Sequence, residues 1–339
     1  MFLQRFLAIL TTRNKEFLRD RSSVGWNIVM PVLIVVGFAL IFSGQFADQY
    51  KVGIVQVSDS NRATNTAFSP FLETKYIEFI DITEPEQAKV KVQRHQLDML
   101  IDTVNRRYWI NNESPSGYLV EKVMLATLTI PLEKQTLSGK EIRYVDWVIP
   151  GILSMNIMFS ALFGVGYVIV RYRKNGMLKR LKATPVTAYE YLGAQIISRL
   201  ILILIVTAFI FYATNLFIGY AMYGSHLNLF LVFALGAISM ISLGLVVAAR
   251  ISSEETANGL LNLISWPMMF LSGVWFSLEG TNPMMQHFAE IFPLTHLTAA
   301  ARSIMIDGAD LLDVAYHLVV LIVQSIVFLV IGAWAFRWE

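Results

Sequence analysis

The chain contains no cysteine, which excludes disulfides, thiolate catalysis and Cys-ligated metal or iron–sulfur sites. Charge is scarce as well: Asp, Glu, Lys and Arg make up 15% of residues against 55% apolar ones, and the net charge of +2 gives no footprint for nucleic acid. There is no G-x-x-x-x-G-K-[ST] phosphate loop, no G-x-S-x-G elbow and no H-E-x-x-H pair. The five histidines are scattered, and His287 and His296, the nearest two, read as surface or packing residues. No constellation for a hydrolase or transferase and no metal site emerges.

What is present is apolar sequence in long runs, several of which approach the roughly 20 residues a helix needs to cross a bilayer. The reading is a polytopic α-helical membrane protein with six transmembrane helices. Val24–Ser43 is the first span, Asp146–Val170 the second, Tyr191–Phe217 the third and Leu229–Ala249 the fourth. Gly259–Trp275 and Val314–Phe336 complete the set. Basic clusters flank them: Arg13, Lys15, Arg19 and Arg21 precede the first span, and Arg171, Arg173, Lys174, Lys179, Arg180 and Lys182 follow the second. The positive-inside rule places both clusters, and with six spans both termini, in the cytoplasm.

Ahead of the first span, residues 1–21 form an amphipathic helix with Phe2, Phe6, Ile9, Leu10 and Phe17 on its apolar half and Arg5, Lys15, Glu16 and Arg19 on the other. Such a helix lies in the membrane interface. Residues 22–44 hold the first transmembrane helix, and residues 45–145 change character to polar, with both charge signs and frequent turns. Lys51–Val57, Tyr76–Ile82, Leu97–Thr103 and Arg107–Ile110 read as strands, and Glu84–Gln96 and Ser116–Leu128 as helices. Thr83 and Glu86 have capping-box spacing. This is one extracytoplasmic α/β domain between spans 1 and 2. Residues 146–339 carry the remaining spans. Within them, segment 277–313 is too apolar for a plain loop and too interrupted by Gly280, Pro283, Pro293 and Gly308 for a straight span, so it reads as re-entrant outer helices.

The mid-span positions hold no obvious ionisable residue; Arg199 sits about two turns into the third span and Arg302 in the re-entrant region. Carriers driven by protons or sodium keep such groups at the midplane. Their scarcity points to an external energy source.

Three segments carry a family resemblance. Lys174–Pro185 (KNGMLKRLKATP) resembles a G-T-L-x-R-L segment followed by T/S-P after the second span of ABC-2 type, or type V, ABC exporter permeases. Leu271–Leu278 (LSGVWFSL) and Phe292–Arg302 (FPLTHLTAAAR) are similar to that family's L-S-G-aromatic-x-P-L and P-L-T-x-x-x-x-A-x-R stretches. Two departures stand out: Arg173, Lys174 and Asn175 replace the usual Arg-Glu before the glycine, and Ser277 stands where proline is common.

The resemblance implies the permease subunit of an ATP-driven exporter in the bacterial inner membrane, itself not an ATPase and with no cofactor of its own. ATP and Mg would be bound by a separate cytoplasmic ATP-binding cassette subunit. Segment 171–190 would couple to it through Gly176, Leu178, Lys179, Arg180, Leu181, Thr184 and Pro185, with both leucines filling the partner's groove. A purely topogenic role for these cations needs no such partner. The resemblance also implies a second permease chain, identical or a sister, around a pathway walled by Met155, Asn156, Phe159, Asn262, Trp266, Met269 and Phe270, residues that suit an amphipathic or hydrophobic solute. Gly273, Pro293, Thr295 and Arg302 mark the re-entrant region. Membrane lipid and a periplasmic adaptor are further candidate partners. The competing reading is a non-transporting scaffold or receptor whose outer domain senses or docks a partner.

Overall fold

A computed structural model describes residues 2–41, 50–55, 65–82, 85–95, 97–128, 130–139, 143–220, 222–276 and 283–338. The chain divides into two compact units, Met1–Ile41 with Tyr144–Glu339, and Phe42–Arg143.

The smaller unit is a five-stranded sheet with helices on both faces. Strands β1 (Tyr50–Val55), β2 (Ile77–Ile82), β3 (Met99–Asp102), β4 (Arg107–Asn111) and β5 (Glu133–Leu137) lie in the order β2-β1-β3-β4-β5. Only β3 and β4 are antiparallel; the other neighbours run parallel. Alternation along the strands divides the core. Val52, Met99, Ile101, Tyr108 and Ile110 meet Phe68 and Phe71 of helix α3 (Asn65–Leu72) and Val120 and Met124 of α5 (Pro115–Thr127). Val55 and Leu100 on the opposite face meet Ala88 and Val92 of α4 (Pro85–Gln93). Ser114 caps α5 by accepting from the Gly117 amide at 3.0 Å. Two elements escaped the sequence reading. Strand β5, EKQTL, sits at the sheet edge with partly or fully exposed side chains and so has no apolar alternation, and α3 is a short helix interrupted by Pro70. Thr83 of the expected capping box, and residues 56 and 57 of the first expected strand, fall outside the described residues.

Inside this domain the Tyr108 hydroxyl donates to buried Glu121 at 2.8 Å, and Lys134 pairs with the same carboxylate at 2.8 Å. Burial, then the hydrogen bond to Glu121 and its negative charge, raise the Tyr108 pKa.

The larger unit is all-helical. Helices α1 (Phe2–Arg19) and α2 (Arg21–Ile41) come first. Then follow α6 (Tyr144–Ala161), a π-helical turn (Leu162–Tyr167) and α7 (Val168–Lys174), which together make one 31-residue rod, Tyr144–Lys174. Short α8 (Met177–Lys182) precedes α9 (Ala188–Ile218), α10 (His226–Ala248) and α11 (Glu254–Leu271). Helices α12 (Pro283–Ala289), α13 (Pro293–Arg302, running into a π turn Ser303–Asp307) and α14 (Ala315–Ala335) end the chain. Four of these segments are long and apolar enough to cross a membrane: Tyr144–Lys174, Ala188–Ile218, His226–Ala248 and Ala315–Ala335. The first and fifth expected spans correspond to α2, whose apolar stretch is Asn27–Gly37, and to α11, which opens on Glu254 and Glu255; neither reaches that length and apolarity among the described residues.

Helix α10 is central, packed on α14, α13, α6 and the first π turn. Close approach there needs small side chains: a Cβ on Gly166 would lie 3.1 Å from the Gly244 carbonyl oxygen. Helix α13, with Leu294, Leu297, Ala300 and Ala301 buried, packs against α6, α10 and α14. The segment read as re-entrant helices, 277–313, does contain short helices, α12 and α13; its residues 277–282 lie outside the described set.

The end of α7 is fixed by one side chain. Buried Arg173 donates to the carbonyls of Ala248 at 2.8 Å, Ala249 at 3.1 Å, Arg337 at 2.8 Å and also Ile251. The guanidinium therefore clamps the α10–α11 turn and the segment after α14 to α7.

Two outcomes follow. Arg173→Met orphans several buried carbonyls at about 1–3 kcal/mol each, so its unfolding midpoint in mild detergent should drop by the equivalent of about 3 kcal/mol, and Arg173→Lys, lacking the planar fork, should recover only part. For the sheet domain, a folded-state tyrosine pKa above the unfolded value of about 10 gives a contribution that is full below that pH and lost as pH climbs above it. Alkaline unfolding followed by circular dichroism should decline less steeply in Tyr108→Phe than in the parent.

Candidate functional site: a polar-headed cavity and a basic corner

A cavity of about 640 Å³ lies within the helical unit. One wall is α1 and α2, through Phe17, Asn27, Met30, Pro31 and Ile34. The facing wall is the α6–α7 rod, through Met155, Asn156, Phe159, Phe163 and Gly164, and α9 and α11 close it with Arg199, Asn258 and Asn262. Four of the expected pathway residues, Met155, Asn156, Phe159 and Asn262, therefore share one space. Trp266, Met269 and Phe270 do not line it. Met269 is buried, while Trp266 and Phe270 stack at 6.0 Å on a surface of this chain, 50% and 47% exposed.

The walls are tied by polar contacts. Ser160 donates to the Asn27 side-chain oxygen at 2.7 Å and Asn156 to the Asn27 carbonyl at 3.4 Å, joining α2 to α6. At one end Arg13 pairs with Glu16 at 2.8 Å and lies 4.9 Å over the Tyr172 ring, whose hydroxyl donates to the same Glu16. Arg171 is 3.6 Å from Glu16. Arg199 reaches across to donate from Nε to the Ser160 carbonyl at 2.7 Å, with its guanidinium 5.3 Å over the Phe17 ring. Gly164 makes that crossing possible: a Cβ there would fall 2.0 Å from Arg199 Nε. Gly164 thus lines the cavity, whereas Gly166 packs against Gly244.

Sequence inspection missed the wall contributed by α1 and α2. Amphipathicity marked α1, yet it packs on α9 as well as presenting Leu3, Leu7 and Leu18 outward. Phe6, Ile9, Leu10 and Phe17 are half-buried, and the Phe2 side chain lies outside the described set. The available signal was the run of Arg13, Glu16 and Phe17, which a wheel splits between faces but a cavity uses together.

The basic corner lies at the end of α7. Gly176 takes φ 69°, a left-handed conformation that favours glycine, and turns the chain into α8. Leu178 is fully buried in this chain's own packing and Leu181 is half-buried. Leu178 thus packs inside this chain, which leaves Leu181 as the more exposed of the two leucines expected to meet a partner's groove. Lys179, Arg180, Thr184 and Pro185 are exposed, and Arg5 of α1 donates to the Pro185 carbonyl. Thr184 turns back to the Leu181 carbonyl at 2.6 Å. Lys174, one of the residues that depart from the family's usual Arg-Glu, meets Glu254 at 3.5 Å and Glu255 at 3.7 Å at the start of α11. Tyr167 donates to Glu254 at 2.6 Å.

In the segment carrying the last two motifs, Thr295 donates to the Ala289 carbonyl at 2.6 Å and bonds Ser272 at 3.0 Å, and Pro293 opens α13. Arg302 stacks 3.8 Å over Trp147 and donates to the carbonyls of Gly273 at 2.8 Å and Trp147 at 3.2 Å. Gly273, at φ 66°, presents its carbonyl to this arginine. These four residues brace α6, α11 and α13. No group of three or more His, Asp or Glu side chains that could hold a metal occurs among the described residues.

Gly176→Ala meets nothing within 4 Å, so its cost should be backbone strain alone, about 1–2 kcal/mol. Thermal unfolding should show that loss, with Gly176→Asn closer to the parent because Asn tolerates the left-handed region.

Residues 21–334 match the model of the ABC-2 family transporter proteins. Among individual proteins, nodulation protein J of Neorhizobium galegae is 33% identical over 101 residues, 30% of this chain and 38% of that protein. The inner membrane transport permease YhhJ of Escherichia coli (strain K12) is 26% identical over 155 residues, 45% of this chain and 41% of the relative. The "probable multidrug ABC transporter permease YbhS" of the same strain is 22% identical over 184 residues, 54% and 49% of the two chains. The chain thus spans half or less of the length of these curated relatives.

Proposed function

The chain belongs to the ABC-2 family of transporter proteins, and from that membership we propose that it is the membrane permease of an ATP-driven exporter that moves an amphipathic or hydrophobic solute out of the cytoplasm or inner leaflet. The observation that carries the reading is the basic corner. A chain without a phosphate loop must receive ATP-derived force from elsewhere, and α8 offers an exposed cationic surface at the end of a rigid rod. Lys179 and Arg180 face outward, suited to acidic residues on an ATP-binding cassette subunit.

Geometry also supplies a path for that force. Lys174 and Tyr167 bind Glu254, so displacement of α8 and α7 pulls on the first turn of α11. Asn258 and Asn262, one and two turns further along, border the cavity. Coupling in this scheme is a change in the angle between the α6–α7 rod and α11, which alters the cavity they share. Two permease chains, identical or sister, would flank the pathway, and the outward-facing Trp266–Phe270 stack suits such a contact. The basic flanks support a reading in which the termini and α8 lie in the cytoplasm of an inner-membrane protein and the sheet domain lies outside, where a periplasmic adaptor would meet it. ATP and Mg belong to the cassette subunit.

The test is purification of the chain from its native host in mild detergent, identification of co-purifying proteins by mass spectrometry, and assay of ATP hydrolysis. An ATP-binding subunit should accompany the parent, and Lys179→Glu with Arg180→Glu should lower its recovery at least about tenfold, by repulsion at a contact worth more than about 1.4 kcal/mol, without loss of folded permease. Absence of any ATPase after chemical crosslinking would discard the exporter reading in favour of a scaffold or receptor.

A further inference from the structure

Arg199 is the one cavity cation with no carboxylate partner among the described residues. Arg13 and Arg171 both engage Glu16, whereas Arg199 has only its Nε bond to the Ser160 carbonyl and its stacking on Phe17. Its two Nη groups have no acceptor among the described residues. Arg199 lies eleven residues into α9, a rise of roughly 16 Å from the helix start, in one of the four segments able to span a membrane. A guanidinium held at such a place without a counter-charge is costly, and ionisable groups kept inside spans generally meet one another or a ligand.

The surroundings point to the ligand's shape. Gly164 lies within a π-helical turn whose irregular backbone and missing side chain leave room for the guanidinium. The polar lining includes the amides and hydroxyl of Asn27, Asn156, Ser160 and Asn262 together with two carboxylates, Asp20 and the Glu16 already paired with Arg13 and Arg171, while Met30, Ile34, Met155, Phe159 and Phe163 line it with apolar surface. A charged fork at one place and a flexible, polarizable wall of Met and Phe beside it match a molecule with an oxyanion head and an alkyl body.

We propose that this cavity binds an acidic amphiphile, an alkyl chain bearing a phosphate or carboxylate, with the Arg199 Nη groups holding the oxyanion and the apolar wall holding the chain. This deepens the exporter reading by naming its substrate class, and rests on it only for the fate of the ligand; the binding itself is independent of any ATPase. Gly164 and Phe17 are positioning residues that aim the guanidinium.

The experiment measures binding of dodecyl phosphate and of zwitterionic dodecylphosphocholine to the full chain in phosphatidylcholine nanodiscs, with inorganic phosphate as competitor. The parent should prefer dodecyl phosphate by about tenfold, the scale of one charge-assisted contact. Arg199→Gln should abolish the preference while leaving dodecylphosphocholine binding within about twofold, and Arg199→Lys should retain part of it. Gly164→Ala, which keeps every charge but displaces the guanidinium, should also lower the preference. Arg19→Gln removes a cation of α1 outside the cavity lining and should not. An unchanged preference in folded Arg199→Gln, or equal loss in Arg19→Gln, would overturn the inference, since the anion would then be held by general surface charge. Displacement of dodecyl phosphate by equimolar inorganic phosphate would overturn the amphiphile and leave a free-anion site. Failure of either kind, with the cassette subunit still co-purifying, would leave the exporter reading standing, and binding without any ATPase would do the converse.

Discussion

The buried guanidinium of Arg173 is the interaction on which the helical unit depends. Five donors in a fixed plane let one side chain satisfy carbonyls from the α10–α11 turn and from the segment after α14. Those carbonyls belong to helix ends, which leave backbone acceptors without partners of their own. Through this one residue the end of α7 is registered against α10, α11 and α14, and the chain leaves it by the left-handed turn at Gly176 in one direction only. The exposed cations of α8 owe their position to that registration.

From the clamp, ion pairs carry rigidity outward and a cavity interrupts it. Lys174 and Tyr167 bind the start of α11 to the rod, while further in along the rod Gly164 of the π turn opens space for Arg199. Tight packing of Gly166 on Gly244 lies two residues from that opening. Rigid contact and cavity thus alternate along one helix, an arrangement suited to a wall that moves as a unit against α1, α2 and α11. On the proposed reading, that motion is what ATP hydrolysis in a partner drives.

Much of this was legible in the sequence, for reasons that can be named. Long apolar runs and the alternating strands of the sheet domain are local patterns with a fixed period, and Met99, Ile101, Tyr108 and Ile110 announce their sheet without help from distant residues. Strand β5 was not legible because an exposed edge imposes no pattern, and α11 carries a weaker span signal because it opens on Glu254 and Glu255 and brings Asn258 and Asn262 to the cavity. The family resemblance implies an outward anchor at Leu178, yet which face of so short a helix is covered depends on its neighbours.

The long apolar runs, the family and the absence of nucleotide-binding and metal-binding motifs on this chain were determined by the sequence alone, because each rests on residue type and spacing along one stretch. Only the tertiary structure decided which cations are neutralised and which remain available. Arg13, Arg171, Arg173 and Arg199 look alike as letters, but two face Glu16, one faces backbone carbonyls and one faces a cavity. Electrostatic role depends on distance and burial between segments far apart in the chain, and no local pattern encodes those.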